Sequence, residues 1–233
     1  MTTAVVLAGG FGTRLQAVVA DVPKPMAPIN GRPFLEYQLD YWIAQGVSRF
    51  VLAIGFMHEK IQAHFGSEYR GARIDYSVES TPLDTGGAVL MAAAQLEPDE
   101  HFLLLNGDTF FTVPLKELVQ LAGSRKADWA FSLFRIPSGG RYTAVTVAPD
   151  GRIVALDAKN DMRGLANGGV YWVSPRALAE SGFSAGDKAS LEKEIFPAAL
   201  AAGRRMYGFE FSGTFLDIGL PSDYYRAPEI MGA

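Results

Sequence analysis

Short apolar runs alternate with helical patterns in the first half of the chain, and this alternation restricts the fold more than any other feature. The apolar runs are Ala4–Ala8, Phe50–Ile54, Ile74–Val78 and Phe102–Leu105. The segments whose apolar residues recur at helical spacing are Phe34–Ala44, His58–Phe65 and Gly86–Gln95. Strands that alternate with helices form βαβ units, which place helices on both faces of a sheet. We therefore predict an α/β, Rossmann-like fold with a mixed, mostly parallel sheet.

The pattern changes after Leu121, where strands follow one another with turns between them. The predicted strands are Trp129–Phe134, Tyr142–Val147, Ile153–Leu156 and Gly169–Val173, with turn signals at Pro149-Asp150-Gly151 and Asn167-Gly168-Gly169. The predicted elements beyond them are helices at Pro175–Glu180 and Leu191–Ala202, strands at Arg205–Phe211 and Thr214–Asp217, and a helix from Pro221. We predict one domain over residues 1–233, with an antiparallel extension of the sheet in its second half.

The composition argues against several classes of function. The net charge of −4 over 233 residues gives no electrostatic support for a nucleic-acid or anionic-membrane partner. The chain has no cysteine, so disulfides, zinc–thiolate sites and cysteine nucleophiles are excluded. No apolar stretch approaches the roughly 20 residues of a membrane span. Because Met1-Thr2-Thr3 leads straight into a strand without the regions of a signal peptide, we expect a cytoplasmic protein.

A glycine-rich turn follows the first predicted strand and is the first candidate binding site. The segment from Leu7 to Leu15 reads L-A-G-G-F-G-T-R-L, and Pro23-Lys24-Pro25 follows it. Glycines let backbone N–H groups close on a phosphate. Arg14 offers a planar fork to phosphate oxygens, and Lys24 offers a compact charge. The pattern indicates a polyphosphate site, and a glycine-rich turn without a ligand is the alternative.

Two widespread phosphate-binding patterns do not fit this turn. A dinucleotide fingerprint would need a glycine where Leu15 stands. It would also need an acidic residue on the second strand, and Phe50–Gly55 contains none. The Walker A sequence G-x-x-x-x-G-K-[ST] does not occur in the chain. The turn is therefore expected to hold a polyphosphate in a different way.

Two aspartates stand at the ends of predicted strands. Asp108 lies in Asn106-Gly107-Asp108-Thr109, directly after the strand Phe102–Leu105, and Asp217 ends a later strand. Ligands of open α/β sheets bind beyond the carboxyl ends of strands, so Asp108 is expected near the chemistry. An aspartate at a strand end can also cap a helix or form a turn, and this structural role stays open. Asn at position 106 argues against the D-x-D pattern of glycosyltransferases with a similar architecture.

The glycine-rich turn and the segment behind it resemble the signature of an enzyme family. G-G-x-G-T-R-L followed by P-K-P is similar to the signature of the sugar-1-phosphate nucleotidyltransferases, which make NDP-sugars from an NTP and a sugar 1-phosphate. Glu79–Ala88 resembles the family's E-x-x-P-L-G-T-G-G-A segment, and Asn167–Tyr171 resembles its N-G-G-x-Y segment. The similarity extends through most of the chain. Within the family, Asp21–Met26, Phe34–Tyr37 and Asn106–Thr109 most resemble the D-glycero-α-D-manno-heptose 1-phosphate guanylyltransferases.

The resemblance implies a GT-A-like nucleotidyltransferase fold in which residues 1–121 hold the nucleotide and residues 122–233 hold the sugar phosphate. The implied catalytic residues are Arg14, Lys24 and Asp108, and Asp108 and Asp217 are the implied ligands of a Mg²⁺ ion. The residues implied for nucleotide binding are Leu7, Ala8, Gly9, Gly10, Gly12, Thr13, Glu79, Gly86 and Gly87. The residues implied for substrate binding are Asn106, Tyr142, Lys159, Asn167 and Gly168.

Three positions depart from the family pattern as this resemblance describes it. Asp84 replaces a glycine in the base-binding segment, Ala158 replaces the glutamate before Lys159, and Thr143 replaces the glycine after Tyr142. A structural alternative also stays open at two of the implied sugar residues. A tight turn would explain Asn167, and a solvated surface position would explain Lys159.

The function that the resemblance implies is transfer of GMP from GTP to heptose 1-phosphate, with GDP-heptose and pyrophosphate as products. One alternative is a nucleotidyltransferase for mannose, N-acetylmuramic acid or another hexose 1-phosphate with a different NTP. The other alternative is a non-catalytic paralogue that binds nucleotide sugars. The expected partners are GTP and the sugar 1-phosphate, with no nucleic acid and no membrane. A homodimer is the assembly considered.

Overall fold

Within the described residues, a ten-stranded mixed sheet forms the centre of the protein, and two two-stranded sheets accompany it. The structure is a computed structural model that describes residues 1–10, 15, 19, 21–136, 142, 144–158 and 164–232, without the side chains of 157 and 158. The strands are β1 (Thr2–Leu7), β2 (Pro28–Ile29), β3 (Arg32–Pro33), β4 (Val47–Ile54), β5 (Glu68–Tyr69), β6 (Ala72–Val78), β7 (Phe102–Asn106), β8 (Thr109–Phe111), β9 (Trp129–Arg135), β10 (Ala144–Val147), β11 (Ile153–Ala158), β12 (Leu165–Val173), β13 (Met206–Glu210) and β14 (Phe215–Asp217). The helices are α1 (Phe34–Ala44), α2 (His58–Phe65), α3 (Asp84–Ala93), α4 (Leu115–Arg125), α5 (Pro175–Ala179), α6 (Phe196–Ala201) and α7 (Pro221–Met231).

The helices agree closely with the sequence patterns. α1 and α2 occupy the predicted ranges, and α3 begins at Asp84 instead of Gly86. The predicted helix Leu191–Ala202 differs more, because it begins with a five-residue π-helical turn, Leu191–Ile195, before α6 starts. α5 and α7 both start with proline, whose fixed φ suits the first helical position and whose missing N–H would have no partner there.

Parallel strands occupy the middle of the large sheet, in the order β6-β4-β1-β7. β12 pairs with β7 in the antiparallel direction over Val170–Val173, and β9, β10, β11 and β13 continue on this side. The predicted α/β fold with a mixed sheet and an antiparallel extension is confirmed. Because β6, β4, β1 and β7 are parallel, the loops that follow them leave from one edge of the sheet.

Alternate residues of the central strands face two separate hydrophobic layers. In β1, Ala4 and Val6 belong to the cluster that includes residues of α1, α2 and α4, whereas Val5 belongs to the cluster of α3 and α6. Both faces of the strand are therefore buried, and this burial explains why β1 reads as an uninterrupted apolar run. A smaller third cluster joins Leu216 of β14 and Ala227 of α7 to Phe34 at the start of α1.

The turn predicted at Asn167-Gly168-Gly169 is wrong, because these residues lie inside β12. They form an irregularity in the pairing of β12 with β9: Asn167 faces Leu133 and Tyr171 faces Phe131, so β12 carries extra residues between the two pairs. Gly169 has a φ of +73°, which only glycine adopts easily. The asparagine and glycines thus bend a strand whose two ends are both paired, and they do not reverse its direction.

An ion pair between a buried aspartate and a partly exposed arginine lies at the start of the parallel pair β9–β13 and contributes to stability. Asp128 is only 5% exposed, and its carboxylate accepts hydrogen bonds from the backbone N–H of Arg205 at 3.0 Å and from the Arg205 guanidinium at 2.7 Å. Burial raises the pKa of the Asp128 carboxyl, but the hydrogen bonds from Arg205 lower it more, so this pKa lies below its ordinary 3.8. The stabilisation is therefore complete above pH 3.8 and is lost as the pH falls through the lowered pKa.

Replacing Asp128 by asparagine should lower the free energy of unfolding at pH 7 by about 1–2 kcal/mol, because the charge-assisted hydrogen bonds to Arg205 are weakened. The difference between wild type and variant should shrink once the pH falls below the ordinary aspartate pKa. Denaturant unfolding at a series of pH values measures both effects. A variant as stable as wild type at pH 7 would show that the pair contributes nothing.

No helix among the residues described here has the length and apolar character needed to cross a membrane.

Candidate active site

A cleft of about 430 Å³ opens at the carboxyl edge of the parallel strands, where ligands of open α/β sheets bind. Its lining includes the residue after β6 and both the last residue and the following turn of β1 and of β7. The lining residues are Leu7, Ala8, Gly9, Gly10, Lys24, Pro25, Glu79, Pro82, Asp84, Thr85, Ala88, Asn106, Gly107, Asp108 and Glu192. Eight residues that the sequence predicts for nucleotide binding, substrate binding or catalysis therefore share one cleft.

Lys24 and Asp108 meet in this cleft although they lie on different elements. Lys24 begins a short 3-10 turn that follows Pro23, and Asp108 lies in the turn between β7 and β8. The Lys24 Nζ atom is 2.5 Å from Asp108 Oδ2, and the two side chains are 13% and 39% exposed. The charges of the two side chains neutralise each other here, at a point open to a ligand.

Asp217 lies beside this pair because β14 runs antiparallel to β8. Asp217 pairs with Thr109, and the N–H of Ile218 donates to the carbonyl of Asp108 at 3.0 Å. Gly219 lies between the Asp217 carboxylate and the Lys24 ammonium group. A Cβ built on it would lie 2.7 Å from both Asp217 Oδ1 and Lys24 Nζ. The structure thus brings Lys24, Asp108 and Asp217 together, as the sequence predicts.

The acidic side chains fit a hard divalent cation. Asp108 and Asp217 offer carboxylate oxygens, and no group of three or more His, Cys, Asp or Glu side chains that could hold a metal occurs among the described residues. Mg²⁺ commonly binds one or two carboxylates together with substrate phosphates and water, so two carboxylates beside a phosphate site suffice. Glu79, Asp84 and Glu192 add negative charge to the cleft. A polyphosphate bound there therefore needs positive charge beyond that of Lys24.

Gly107 has a steric reason to stand between Asn106 and Asp108. Its N–H donates to the carbonyl of Leu7 at 2.9 Å, and a Cβ at this position would collide with that same carbonyl oxygen. Only glycine lets the turn after β7 approach the end of β1 this closely. The approach places the Asp108 turn next to the beginning of the glycine-rich turn.

Glu79 lies on the other side of the cleft, just after β6. Its Oε2 atom accepts a hydrogen bond from the backbone N–H of Leu83 at 2.9 Å. Burial raises the pKa of the Glu79 carboxyl, the charge of Asp84 raises it further, and the bond from Leu83 opposes both effects. The side chain is a half-buried hydrogen-bond acceptor facing the space that Pro82 and Thr85 also border.

Gly86 and Gly87 allow a close approach of another segment of the chain. Their backbone N–H groups both donate to the carbonyl of Ala189, at 2.7 and 3.0 Å. A Cβ on Gly86 would lie 2.8 Å from that oxygen, and one on Gly87 would collide with the carbonyl of Asp187. The backbone of Asp187 and Ala189 therefore occupies the space beside Gly86 and Gly87, whereas Asp84, Thr85 and Ala88 of the same helix line the cleft. Asp84 has a φ of +59°, a conformation that favours the glycine of the family pattern and that aspartate tolerates.

The predicted sugar-side residues Asn167 and Gly168 lie in the bent part of β12. The Asn167 side chain donates to the Tyr171 hydroxyl at 2.6 Å and accepts from the N–H of Gly169 at 3.1 Å. A Cβ on Gly168 would collide with the Phe111 ring, so close packing already requires glycine. Tyr171 is fully buried, and burial raises the pKa of its hydroxyl, with Glu192 and Asp108 adding to the effect. The role of Asn167 in binding a sugar stays a prediction.

Tyr142 lies with two phenylalanines beside a second cleft of about 530 Å³. Phe134 and Phe215 stack with their ring centroids 3.9 Å apart, and Tyr142 meets them edge-on at 5.0 and 5.6 Å. Asp217 also lines this cleft. Asp217 therefore lines the same cleft as Tyr142, which is predicted to bind the sugar phosphate. Gly219 also approaches both the Asp217 carboxylate and the Lys24 Nζ atom.

Four predicted site residues, Gly12, Thr13, Arg14 and Lys159, lie outside the described residues. Conversely, Glu192 and Thr85 line the cleft without having been singled out from the sequence. Thr85 Oγ1 donates to Glu192 Oε2 at 2.8 Å, which joins the π-helical turn to the start of α3. No local pattern marks Glu192, because its place in the cleft depends on a contact between segments more than 100 residues apart.

Comparison with known proteins agrees with this geometry. A family model described as nucleotidyl transferase matches residues 3–231. The chain belongs to the nucleotidyl transferase family. The family resemblance predicted from the glycine-rich turn is thereby confirmed, and the match covers nearly the whole chain.

Several relatives of this nucleotidyl transferase match it along nearly their whole length. A D-glycero-alpha-D-manno-heptose 1-phosphate guanylyltransferase of Aneurinibacillus thermoaerophilus is 38% identical, over 96% of each chain. One of Campylobacter jejuni is 34% identical, over 96% of this chain and 97% of the relative. The crystal structure of HddC from Yersinia pseudotuberculosis complexed with GMP-PN is 31% identical with a TM-score of 0.85, over 98% of this chain and 99% of that one.

Proposed function

We propose that the protein transfers GMP from GTP to D-glycero-α-D-manno-heptose 1-phosphate and releases pyrophosphate. The observation that carries the proposal is the meeting of Lys24, Asp108 and Asp217 beside a cleft with an acceptor carboxylate, Glu79, in its wall. The names of the full-length relatives support guanine as the base and heptose 1-phosphate as the sugar.

The reaction needs no covalent intermediate with the protein. An oxygen of the sugar phosphate attacks the α-phosphorus of GTP, a new P–O bond forms, and the bond between the α-phosphorus and the bridging oxygen breaks in line with it. The electron pair of that bond leaves with pyrophosphate. The protein acts by holding the two substrates in line and by neutralising the charge that develops.

Lys24 and Arg14 are proposed to hold the β- and γ-phosphates and to stabilise pyrophosphate as it leaves. Lys24 is suited to this role because it is nearly buried, charged and 2.5 Å from an aspartate that it would share with an incoming cation. Asp108 and Asp217 are proposed to hold Mg²⁺, which would supply positive charge to neutralise the reacting phosphates. The turns after β1 and β7 would then lie along the nucleotide.

Glu79 is proposed to distinguish guanine from other bases. Guanine presents N1–H and an N2 amino group, two donors that adenine does not combine, and a carboxylate accepts from both. A half-buried acceptor left without a donor is costly, so a wrong base would be rejected. A backbone carbonyl near Ala8 is the alternative acceptor, because Ala8 lines the same cleft.

The sugar 1-phosphate is proposed to bind on the side of residues 122–233, with Tyr142, Asn167, Gly168 and Lys159 as its contacts. The second cleft supports this placement, because Tyr142 and the proposed metal ligand Asp217 both line it. Asn106, which lines the nucleotide cleft, lies where the two substrates would meet. The homodimer and the cytoplasmic location stay predictions.

A panel of substrates tests the proposal. Pyrophosphate release is measured with GTP, ATP, CTP, UTP and dTTP, each combined with heptose, mannose, N-acetylmuramic acid and glucose 1-phosphates. We expect the highest kcat/KM for GTP with the manno-configured heptose, by about 10-fold or more over other pairs, because its polar contacts would otherwise be left unpaired.

Two outcomes of the panel would count against the proposal in different ways. Comparable kcat/KM for UTP or dTTP with glucose 1-phosphate would overturn the substrate assignment and leave a nucleotidyltransferase. No pyrophosphate release with any pair, from protein that binds nucleotide sugars, would favour a non-catalytic paralogue.

A further inference from the structure

A buried glutamine of α1 ties down the turn that carries Asp108. Gln38 is 2% exposed, and its side-chain amide donates to the carbonyl of Asn106 at 2.8 Å and to the carbonyl of Thr109. These two carbonyls lie directly before and after Gly107-Asp108. We propose that Gln38 is a positioning residue that sets the Asp108 carboxylate for its divalent cation, an inference that rests on the metal role of Asp108 in the proposed function.

The remaining bonds of this turn show what Gln38 adds. The N–H of Gly107 donates to Leu7, and the carbonyl of Asp108 accepts from Ile218. These two bonds join the turn to Leu7 at the end of β1 and to Ile218, the residue directly after β14. Gln38 approaches from α1 and uses both hydrogens of one amide, so the two carbonyls are held at a fixed separation. The turn is thereby held by β1, by the residue after β14 and by α1.

The position of this turn matters because of what it carries. Mg²⁺ requires near-ideal octahedral geometry at short distances, so a carboxylate displaced by a fraction of an ångström binds it less well. Asp108 is 39% exposed and has the flexible side chain of Lys24 as a partner. The carboxylate therefore depends on its backbone for position. A displacement of about 1 Å at a reacting centre can cost about 10²-fold in rate.

A second glutamine offers a matched control. Gln45, directly after α1, also bonds a backbone through its side chain: Nε2 donates to the carbonyl of Val113 at 3.0 Å, and Oε1 accepts from the N–H of Leu115 at 2.7 Å. Gln45 ties the connection between β8 and α4, and neither Val113 nor Leu115 lines a described cleft. Both glutamines thus make two side-chain to backbone bonds, and only Gln38 bonds the Asp108 turn.

The test compares Gln38→Met with Gln45→Met, since methionine keeps the length and helix preference of glutamine but donates no hydrogen bond. Mn²⁺ binding to the protein with GTP is followed by electron paramagnetic resonance, without sugar phosphate so that no turnover occurs. Amide hydrogen exchange of residues 106–109 is measured without metal. Steady-state kcat and KM for GTP complete the set. Gln38→Asn, which keeps the amide but is one methylene shorter, serves as a second variant that disturbs the core less.

For Gln38→Met we expect Mn²⁺ affinity to fall about 10-fold, exchange at the turn to accelerate, and kcat to fall about 10- to 100-fold with KM for GTP within about threefold. Gln38→Asn should change in the same direction. Gln45→Met should keep wild-type Mn²⁺ affinity, turn exchange and kcat, even if its unfolding temperature falls as far as that of Gln38→Met.

The inference is overturned if both Gln38 variants keep wild-type Mn²⁺ affinity and kcat, or if Gln45→Met reproduces their losses. Asp108→Asn separates this failure from a failure of the proposed function. If Asp108→Asn loses Mn²⁺ binding and the Gln38 variants do not, Asp108 keeps its metal role and Gln38 is merely structural. If Asp108→Asn itself binds Mn²⁺ and turns over normally, the metal assignment is wrong and the inference about Gln38 falls with it.

Discussion

Replacing Asp108 by asparagine is expected to lower kcat by about 10²-fold or more at saturating Mg²⁺, with the fold intact. The carboxylate lies beside Lys24 and next to the strand that ends in Asp217, where the two aspartates would hold the cation. An amide keeps the shape but not the charge. Asp217→Asn should cause a loss of similar size, because Mg²⁺ would then keep only one carboxylate. Pyrophosphate release at varied Mg²⁺ measures both variants.

The loss of a paired carboxylate as such needs a control outside the cleft. Asp75 on β6 is ion-paired with Arg49 at 2.7 Å and lies outside the described cleft, so Asp75→Asn should keep wild-type kcat even if it destabilises the protein. Near-wild-type turnover in both Asp108→Asn and Asp217→Asn would contradict the metal assignment. Loss in Asp75→Asn as well would show that the assay reports stability and not the metal site.

Replacing Lys24 by alanine should impair the chemical step more than nucleotide binding. Negative charge grows on pyrophosphate as the bond to the α-phosphorus breaks, so a cation at this position stabilises the transition state more than bound GTP. We expect kcat to fall by about 10²-fold or more, with a smaller change in KM for GTP. Steady-state kinetics with GTP varied at saturating sugar 1-phosphate measure the two parameters separately.

Lys116 gives the control for Lys24, because it is an exposed lysine on α4 that does not line the cleft. Lys116→Ala should behave as wild type. A Lys24→Ala enzyme with raised KM and unchanged kcat would mean that Lys24 binds ground state and transition state equally, and the proposed role in the departure of pyrophosphate would be wrong.

The positions of the glycine-rich turn and of the Asp108 turn could be predicted from the sequence because each turn directly follows a strand. The parallel pairing of β1 with β7 brings their following turns together, so Gly9 and Gly10 line the same cleft as the turn that contains Asp108. Asp217 was predictable for a similar reason, since it ends a short apolar strand. Its position beside Asp108 needed the β8–β14 pairing, which no local pattern specifies.

A local sequence signal can serve more than one purpose in the folded structure. Asn167-Gly168-Gly169 is a strong turn signal, but the paired strand on both sides converts it into an irregularity within β12. Gly86 and Gly87 are implied by the resemblance to contact the nucleotide, and the structure shows that the carbonyls of Asp187 and Ala189 also approach them closely. A glycine in the sequence indicates that another group approaches the backbone closely, and the folded structure shows which group it is.

Local sequence patterns suffice to predict the fold class, the glycine-rich turn with the lysine that follows it, and the strand-end aspartate at position 108. Each of these features depends on residues that are close together along the chain, because strand periodicity and turn preferences are local properties of the sequence. The presence of Glu192 in the cleft and the bonds from Gln38 to the Asp108 turn are visible only in the folded protein. Such contacts join segments about 70 to more than 100 residues apart, and they form only when packing of the sheet and its helices brings those segments together.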